Sequence, residues 1–164
     1  TRALTAIETF FWTFCDDYLE LVKERAYGTN GQSGQGSAAA ALREAIDVLL
    51  RLFAPFIPFA TEEVWSWTHE ASIHTAPWPQ TNAPAGRTGL LPLVSEALIS
   101  IRRAKTDAKA SQKTEVRSAT LHGPAQLKLA ADDLKAVGRI AQLNFVEAEQ
   151  VSVTDIVLAE QAEA

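Results

Sequence analysis

Residues 50–65, LRLFAPFIPFATEEVW, contain the end of one predicted helix and the start of the next. Pro55 and Pro58 each remove a backbone N–H that a continuous helix would need, so the helical pattern must break there. Apolar residues spaced three and four apart precede the break and predict a helix over residues 38–54. A shorter helix is predicted to follow Pro58.

The shorter helix is predicted to begin near Thr61, because a threonine hydroxyl can cap the first backbone N–H groups of a helix. Glu62 and Glu63 would then lie in its first turn, where the helix dipole favours acidic side chains. We interpret the aromatic residues of this half of the chain as mostly core, because they recur at helical spacing. They are Trp12, Phe14, Tyr18, Trp65 and Trp67.

The N-terminal residues predict one long amphipathic helix over residues 3–27. Apolar side chains from Leu4 to Leu21 recur at steps of three and four, and Gly28 is a suitable C-terminal stop. Residues 28–37 then combine four glycines with no charge and no large apolar side chain. That composition is typical of a flexible loop between two helices.

The second half has a different pattern, which predicts the order α-β-α-β-β. Proline and glycine concentrate in residues 70–89, so we place the domain boundary there. The predicted elements are helices over 90–113 and 125–137 and strands over 116–121, 143–146 and 151–158. The predicted fold class is therefore mainly α with a small α/β part. Its domains are a helical bundle over residues 1–80, a linker over 81–89 and a small α/β subdomain with a basic helix over 90–164.

The composition limits the classes of function. Hydrophobic residues make up 47% of the 164 residues, which is enough for packed cores. Cys15 is the only cysteine, so neither an intramolecular disulfide nor a cysteine-rich zinc site can form. No apolar run is long enough for a membrane span and no signal peptide is visible, so we expect no membrane partner and a cytoplasmic location.

Candidate catalytic residues are few. His69, His74 and Cys15 would have to serve a small hydrolase, yet the sequence shows no paired nucleophile and base among them. Asp16 and Asp17 lie beside Cys15 and would oppose formation of a thiolate. A structural role is therefore the favoured interpretation, and we predict no catalytic residue and no metal site in this chain.

Basic residues concentrate in the predicted helix over 90–113 and just after it. Between residues 90 and 117, six Lys and Arg face three acidic residues, whereas the whole chain has a net charge of -5. Lys105, Lys109 and Lys113 are spaced four apart and would line one helix edge, which suits a nucleic-acid phosphate backbone. The predicted backbone contacts are Arg102, Arg103, Lys105 and Lys109, with Lys23 and Arg25 as further candidates. The acidic pI of about 5.2 favours a rival function, a non-catalytic helical protein–protein interaction module.

Two segments resemble a known family. Residues 11–23, FWTFCDDYLELVK, resemble a helix of the anticodon-binding domain of valyl-tRNA synthetases, which contains a Phe-Cys-Asp-x-Tyr-[aliphatic]-Glu-x-x-Lys stretch. Residues 50–65 resemble the Pro-Phe-x-Pro-Phe-x-Thr-Glu-Glu-x-Trp element shared by the valine, isoleucine and leucine enzymes. Residues 72–79, SIHTAPWP, are similar to the segment that follows in the valine enzymes. The resemblance covers about residues 3–80.

The resemblance implies an antiparallel helical bundle that binds the anticodon stem-loop of tRNA(Val). The full enzyme would activate valine with ATP and magnesium and load it onto that tRNA. Its ATP-site signatures are not in this chain, so we expect the chain alone to be inactive and to use no cofactor. The family's bundle begins upstream of the position of Thr1, so we interpret the chain as an excised piece with an incomplete bundle. The parent is expected to be a monomer, and apolar surface exposed on the piece would favour self-association.

Overall fold

The computed structural model describes residues 1–29, 31–80 and 89–159. The chain divides into two compact units, which we call unit 1 (Thr1–Pro84) and unit 2 (Ala85–Ala164). Unit 1 is helical and unit 2 combines helices with a three-stranded sheet, so the predicted fold class is confirmed. The division falls within the predicted linker over residues 81–89, of which residues 81–88 lie outside the described part of the chain.

The N-terminal rod of unit 1 consists of three consecutive helical segments, and the helix predicted over residues 3–27 is confirmed. The segments are α1 (Arg2–Thr13), a π-helical turn (Phe14–Tyr18) and α2 (Leu19–Ala26). The π-helical turn is not evident from the apolar spacing. In it the Phe14 ring stacks on Phe10 and on Tyr18, at centroid distances of 6.1 and 5.3 Å. Gly28 follows the rod with a φ of 88°, a conformation that glycine adopts at no steric cost.

The next helix, α3, covers Gly31–Phe53 and begins earlier than predicted. The predicted loop over residues 28–37 is therefore wrong from Gly31 onward, while Asn30 lies outside the described residues. The Gln35 side chain donates a hydrogen bond from Nε2 to the Ala26 carbonyl at 3.3 Å, which ties the start of α3 to the end of α2. The low helix propensity of the glycines explains why the composition predicts a loop here.

The helix after the proline break, α4, covers Pro58–Ser66. Pro58 is its first residue, a position where a missing N–H breaks no intrahelical bond. Thr61 therefore lies one turn inside the helix, 2% exposed, and its hydroxyl donates to the Ile57 and Pro58 carbonyls at 3.0 and 3.1 Å. Thr61 lies near the start of the helix, as predicted, but the prediction that Glu62 and Glu63 lie in the first turn is wrong, because Pro58 starts the helix earlier.

A small core holds α4 against the segment that follows it. Trp65 packs in this core with Ile73, and its indole N–H donates to the Ala71 carbonyl at 2.9 Å. The Glu62 carboxylate accepts from the Ser72 hydroxyl at 3.0 Å and from the Ile73 N–H at 2.9 Å. These bonds anchor the short 3₁₀ turn that begins at Ile73.

The aromatic side chains of unit 1 are divided between core and surface. Trp65 is buried, as predicted, and Phe14 and Tyr18 are half-buried. Trp12 and Trp67 are 59% and 70% exposed, so the prediction of a core position is wrong for these two. Helical spacing assigns residues to one face of a helix, but it does not show whether a neighbour covers that face.

The first helix of unit 2, α5, covers Leu90–Asp107 and is shorter than the predicted helix. Lys109 has a φ of 55° and donates its N–H to the Thr106 carbonyl at 2.9 Å, while the Ala110 N–H bonds the Lys105 carbonyl at 2.9 Å. This pair of bonds is the Schellman pattern of helix termination. The predicted single helix edge carrying three lysines is therefore wrong, since α5 ends before the second of them.

The sheet of unit 2 has the strand order β2-β1-β3, with β2 parallel and β3 antiparallel to the central β1. The strands are β1 (Val116–Gly123), β2 (Ile140–Glu147) and β3 (Ser152–Leu158). Between β1 and β2 lie a 3₁₀ turn (Ala125–Ala130) and α6 (Ala131–Gly138). The predicted order α-β-α-β-β is thus confirmed. Buried residues of α5, the 3₁₀ turn, α6 and the sheet form the core, among them Leu98, Ile101, Leu121, Leu127 and Leu134.

Candidate nucleic-acid interface

The C-terminal ends of α5 and α6 are joined by one buried side chain, Lys105. Only 2% of Lys105 is exposed, and its ammonium donates to the Gln112 carbonyl at 3.1 Å and to the Gly138 carbonyl at 2.9 Å. Burial lowers the pKa of Lys105, and repulsion from Arg139 lowers it further. This placement does not support the predicted phosphate contact by Lys105, because its charge is used inside the unit. The regular spacing of Lys105 from the other lysines does not indicate that Lys105 is buried.

Three exposed basic residues surround this junction: Lys109, Lys113 and Arg139. The Arg139 guanidinium donates from Nη1 to the Lys113 carbonyl at 3.2 Å, so the end of α6 touches the loop that follows α5. Arg139 was not among the predicted site residues, because it lies far along the chain from the other two. The signal that could have identified it is a basic residue directly after Gly138, at the end of a predicted helix.

The two predicted arginines lie on α5 close to the same loop. The side chain of Arg103 is 82% exposed and makes an ion pair with Asp107 at 3.8 Å, which in such an exposed setting holds it only weakly. Arg102 is half-buried, and its carbonyl accepts from the Gln112 amide at 3.2 Å and the Thr106 hydroxyl at 3.0 Å. The Gln112 side chain thereby fixes the loop against α5.

The remaining predicted contacts belong to unit 1, at the end of α2. Lys23 is paired with Glu20 at 3.6 Å, with 51% and 48% of the two side chains exposed. Arg25 is half-buried in the same last turn. Cations at this position also complement the negative end of the helix dipole.

The candidate hydrolase residues are held in separate structural settings. His69 stacks on Trp65 at a centroid distance of 3.6 Å, with Nε2 3.8 Å from an Asp47 carboxylate oxygen. His74 lies 3.9 Å from Glu62, which is already bonded to the 3₁₀ turn. Burial, followed by the charge of Asp16, raises the pKa of the Cys15 thiol and so disfavours the nucleophilic thiolate. Within residues 1–29, 31–80 and 89–159, no cluster of His, Cys, Asp or Glu is suited to a metal ion.

Unit 1 also has an open apolar groove of about 800 Å³. Side chains of α1, α3 and α4 line it, among them Phe11, Trp12, Leu42, Ile46 and Val64. Trp12 is 59% exposed and Ile46 is 50% exposed, so this surface is apolar and accessible.

Among the described residues, no helix has the length and apolar character of a membrane span.

The sequence of this chain is similar to a known protein family and to known proteins. Residues 1–120 match the family described as "Anticodon-binding domain of tRNA ligase". The chain is 52% identical to the valine–tRNA ligase of Leifsonia xyli, 48% to that of Thermobifida fusca and 46% to that of Cutibacterium acnes. These alignments cover 99%, 97% and 98% of this chain. The chain spans about a fifth of the length of these relatives, with coverage of 20%, 19% and 19%.

Proposed function

Because the chain belongs to the family of anticodon-binding domains of tRNA ligases, we propose that it binds the anticodon stem-loop of tRNA(Val). The family match over residues 1–120 carries this proposal, and similarity to valine–tRNA ligases over nearly the whole chain supports the choice of tRNA. RNA loops are commonly bound by stacking of bases on aromatic rings, while cations hold the phosphate backbone. The described residues include exposed aromatic side chains and exposed cationic side chains.

In this proposal the phosphate contacts come from both units, and Lys105 is not one of them. They are Arg102, Arg103 and Lys109 in unit 2 and Lys23 and Arg25 in unit 1. Arg103 and Lys109 are the strongest candidates, because both are exposed and Arg103 has only a weak, exposed ion pair to give up. Tyr27 and Trp67, which are 75% and 70% exposed, are the candidates for stacking with loop bases.

The catalytic chemistry belongs, in the same proposal, to the whole ligase. That enzyme would act as a cytoplasmic monomer, activating valine with ATP and magnesium and loading it onto tRNA(Val). The part of the protein described here would supply RNA binding and no reacting group. The raised pKa of Cys15 and the separate carboxylate partners of His69 and His74 support this division of roles.

Titration of the chain with tRNA(Val) at two salt concentrations tests the proposal. We expect binding that weakens steeply as salt rises, because each phosphate contact releases a counterion. Arg103→Gln is expected to lower the slope of log affinity against log salt by about one. Fluorescence anisotropy with labelled tRNA measures both quantities.

A tRNA(Val) with a replaced anticodon is the matched control for the proposed binding position, and weaker binding of that tRNA is the expected result. Equal binding of the two tRNAs would contradict anticodon recognition. Binding without salt dependence, or no binding at low salt, would contradict the backbone contacts.

The apolar groove of unit 1 favours a second candidate function, a helical protein–protein interaction module. In the isolated chain we propose that a second copy of the chain covers the groove, because self-association would remove its apolar surface from water. Phe11, Leu42 and Val64 contribute to its lining, and the exposed Trp12 and Ile46 extend its apolar surface.

Sedimentation velocity over a range of protein concentrations measures this self-association. The average mass of the chain is expected to rise with concentration, whereas Ile46→Glu should stay monomeric because a charge in the groove would have to be buried. Leu129→Glu is the matched control, since Leu129 is 56% exposed in unit 2 and does not line the groove. A monomer at every concentration would exclude the second candidate for the isolated chain.

A further inference from the structure

Two helices of unit 2 end on a basic residue with a left-handed backbone. Lys109 follows α5 with a φ of 55°, and Arg139 follows α6 with a φ of 53°. Glycine is the favoured residue at such a position, because a side chain there costs conformational free energy. In both places the chain carries a long cationic side chain instead. A residue held in this conformation at a cost suggests that its side chain has a function that offsets the cost.

Neutralising the two helix dipoles does not account for these residues. The ammonium of Lys105 already lies at the C-terminal end of α6, bonded to the Gly138 carbonyl, and it also bonds the Gln112 carbonyl in the loop after α5. The last carbonyls of α5 are also satisfied by backbone N–H groups, including those of Lys109 and Ala110. The exposed side chains of Lys109 and Arg139 therefore add positive charge beyond what the helix ends use.

Hydrogen bonds order the loop between α5 and β1, which carries Lys109 and Lys113. Gln112 bonds the Arg102 carbonyl and the Thr106 hydroxyl, and the Lys113 N–H bonds the Ser111 hydroxyl at 3.2 Å. Arg139 bonds the Lys113 carbonyl at 3.2 Å, which brings the end of α6 to the same loop. A loop ordered in this way loses little backbone entropy when its cations bind an anion.

We propose that Lys109, Lys113 and Arg139 form a phosphate-binding site for the RNA backbone at the junction of α5 and α6. The proposal rests on the proposed tRNA binding and adds to it a site made by residues from two distant parts of the chain. An arginine guanidinium and two ammonium groups suit phosphate oxygens in chemistry and charge. The nearest acidic residues along the chain are Asp107, which pairs with Arg103, and Glu115.

Glycine substitutions distinguish phosphate binding from a structural role of these residues. Loss of a phosphate contact would weaken tRNA binding without lowering stability, whereas loss of a structural contact would lower stability. Lys109→Gly and Arg139→Gly remove the charge and also relieve the left-handed backbone. Each variant is expected to bind tRNA(Val) about three- to tenfold more weakly at low salt, with a salt slope lower by about one. The midpoint of urea unfolding is expected to stay the same or rise. Lys113→Gln should weaken binding to a similar extent.

Lys128→Gln is the matched control, since it removes an exposed cation of unit 2 from the 3₁₀ turn that follows the far end of β1. It is expected to leave the affinity within about twofold. If the parent chain binds tRNA(Val) and the glycine variants bind equally well, this inference is overturned while the proposed function stands. If the parent chain does not bind, both are overturned. Competition by polyglutamate as effective as competition by RNA would overturn the assignment to phosphate.

Discussion

Replacing Lys105 with alanine is expected to lower the free energy of unfolding of unit 2 by about 3–5 kcal/mol. The substitution removes a fully buried side chain and leaves a cavity where α5 meets α6. It also removes the donor for the carbonyls of Gln112 and Gly138, which are bonded at 3.1 and 2.9 Å. Urea unfolding followed by circular dichroism, with hydrogen exchange of β1 and β2 amides, measures the effect.

Lys105→Met is the matched control, because it preserves most of the packing and removes only the ammonium. It is expected to cost about 1–3 kcal/mol, the cost of leaving the buried Gly138 carbonyl without its donor. If Lys105→Ala changed stability by less than about 1 kcal/mol, the buried bridge between the two helix ends would not have the structural role inferred for it.

The same pair of proteins provides a pH test. The pKa of Lys105 lies below its ordinary value in the folded chain, chiefly because of burial. The unfolded chain therefore binds more protons at this side chain between the two pKa values, so stability rises with pH in that window. Relative to Lys105→Met, the parent chain is expected to gain stability as pH rises through the folded pKa. A difference independent of pH would contradict the lowered pKa.

Replacing Trp65 with alanine is expected to lower the free energy of unfolding of unit 1 by about 3–5 kcal/mol. Trp65 is 6% exposed, stacks on His69 and donates its indole N–H to the Ala71 carbonyl at 2.9 Å. The Arg51 guanidinium lies 5.9 Å from its ring. The substitution would remove all three contacts and leave a cavity beside Ile73.

Trp67→Ala is the matched control for the tryptophan substitution, because Trp67 lies two residues further along and is 70% exposed. It is expected to cost less than about 1 kcal/mol. Trp65→Phe retains a ring and loses the indole donor, so an intermediate loss is expected. Urea unfolding followed by tryptophan fluorescence suits the test, since all four tryptophans of the chain lie in unit 1. An equal loss for Trp65→Ala and Trp67→Ala would contradict the core position of Trp65.

Much of the fold was predictable because its signals are local. Pro58 begins α4 in the stretch that also ends α3, and apolar spacing correctly predicted the N-terminal rod. The order α-β-α-β-β of unit 2 follows from changes of period along the sequence. Errors occurred at element ends, such as the start of α3 at Gly31, where the low helix propensity of the glycines predicts a loop.

The candidate interface was predicted less completely than the fold. Arg103 and Lys109 are exposed as the basic pattern suggested, whereas Lys105 is buried and Arg139 joins the group from the end of α6. Charge and spacing in one segment are local properties. Burial and proximity depend on residues that only the folded chain brings together.

By itself the sequence determined the family, the mainly helical class and the order of the elements, because motifs, prolines and apolar periods act within short segments. The tertiary structure alone decided which lysine is internal and which basic residues share a surface. The physical reason lies at Gly138, whose carbonyl makes the burial of Lys105 tolerable. A buried ammonium needs acceptors, and this one comes from a residue that the sequence places far from the lysine and the fold brings to it.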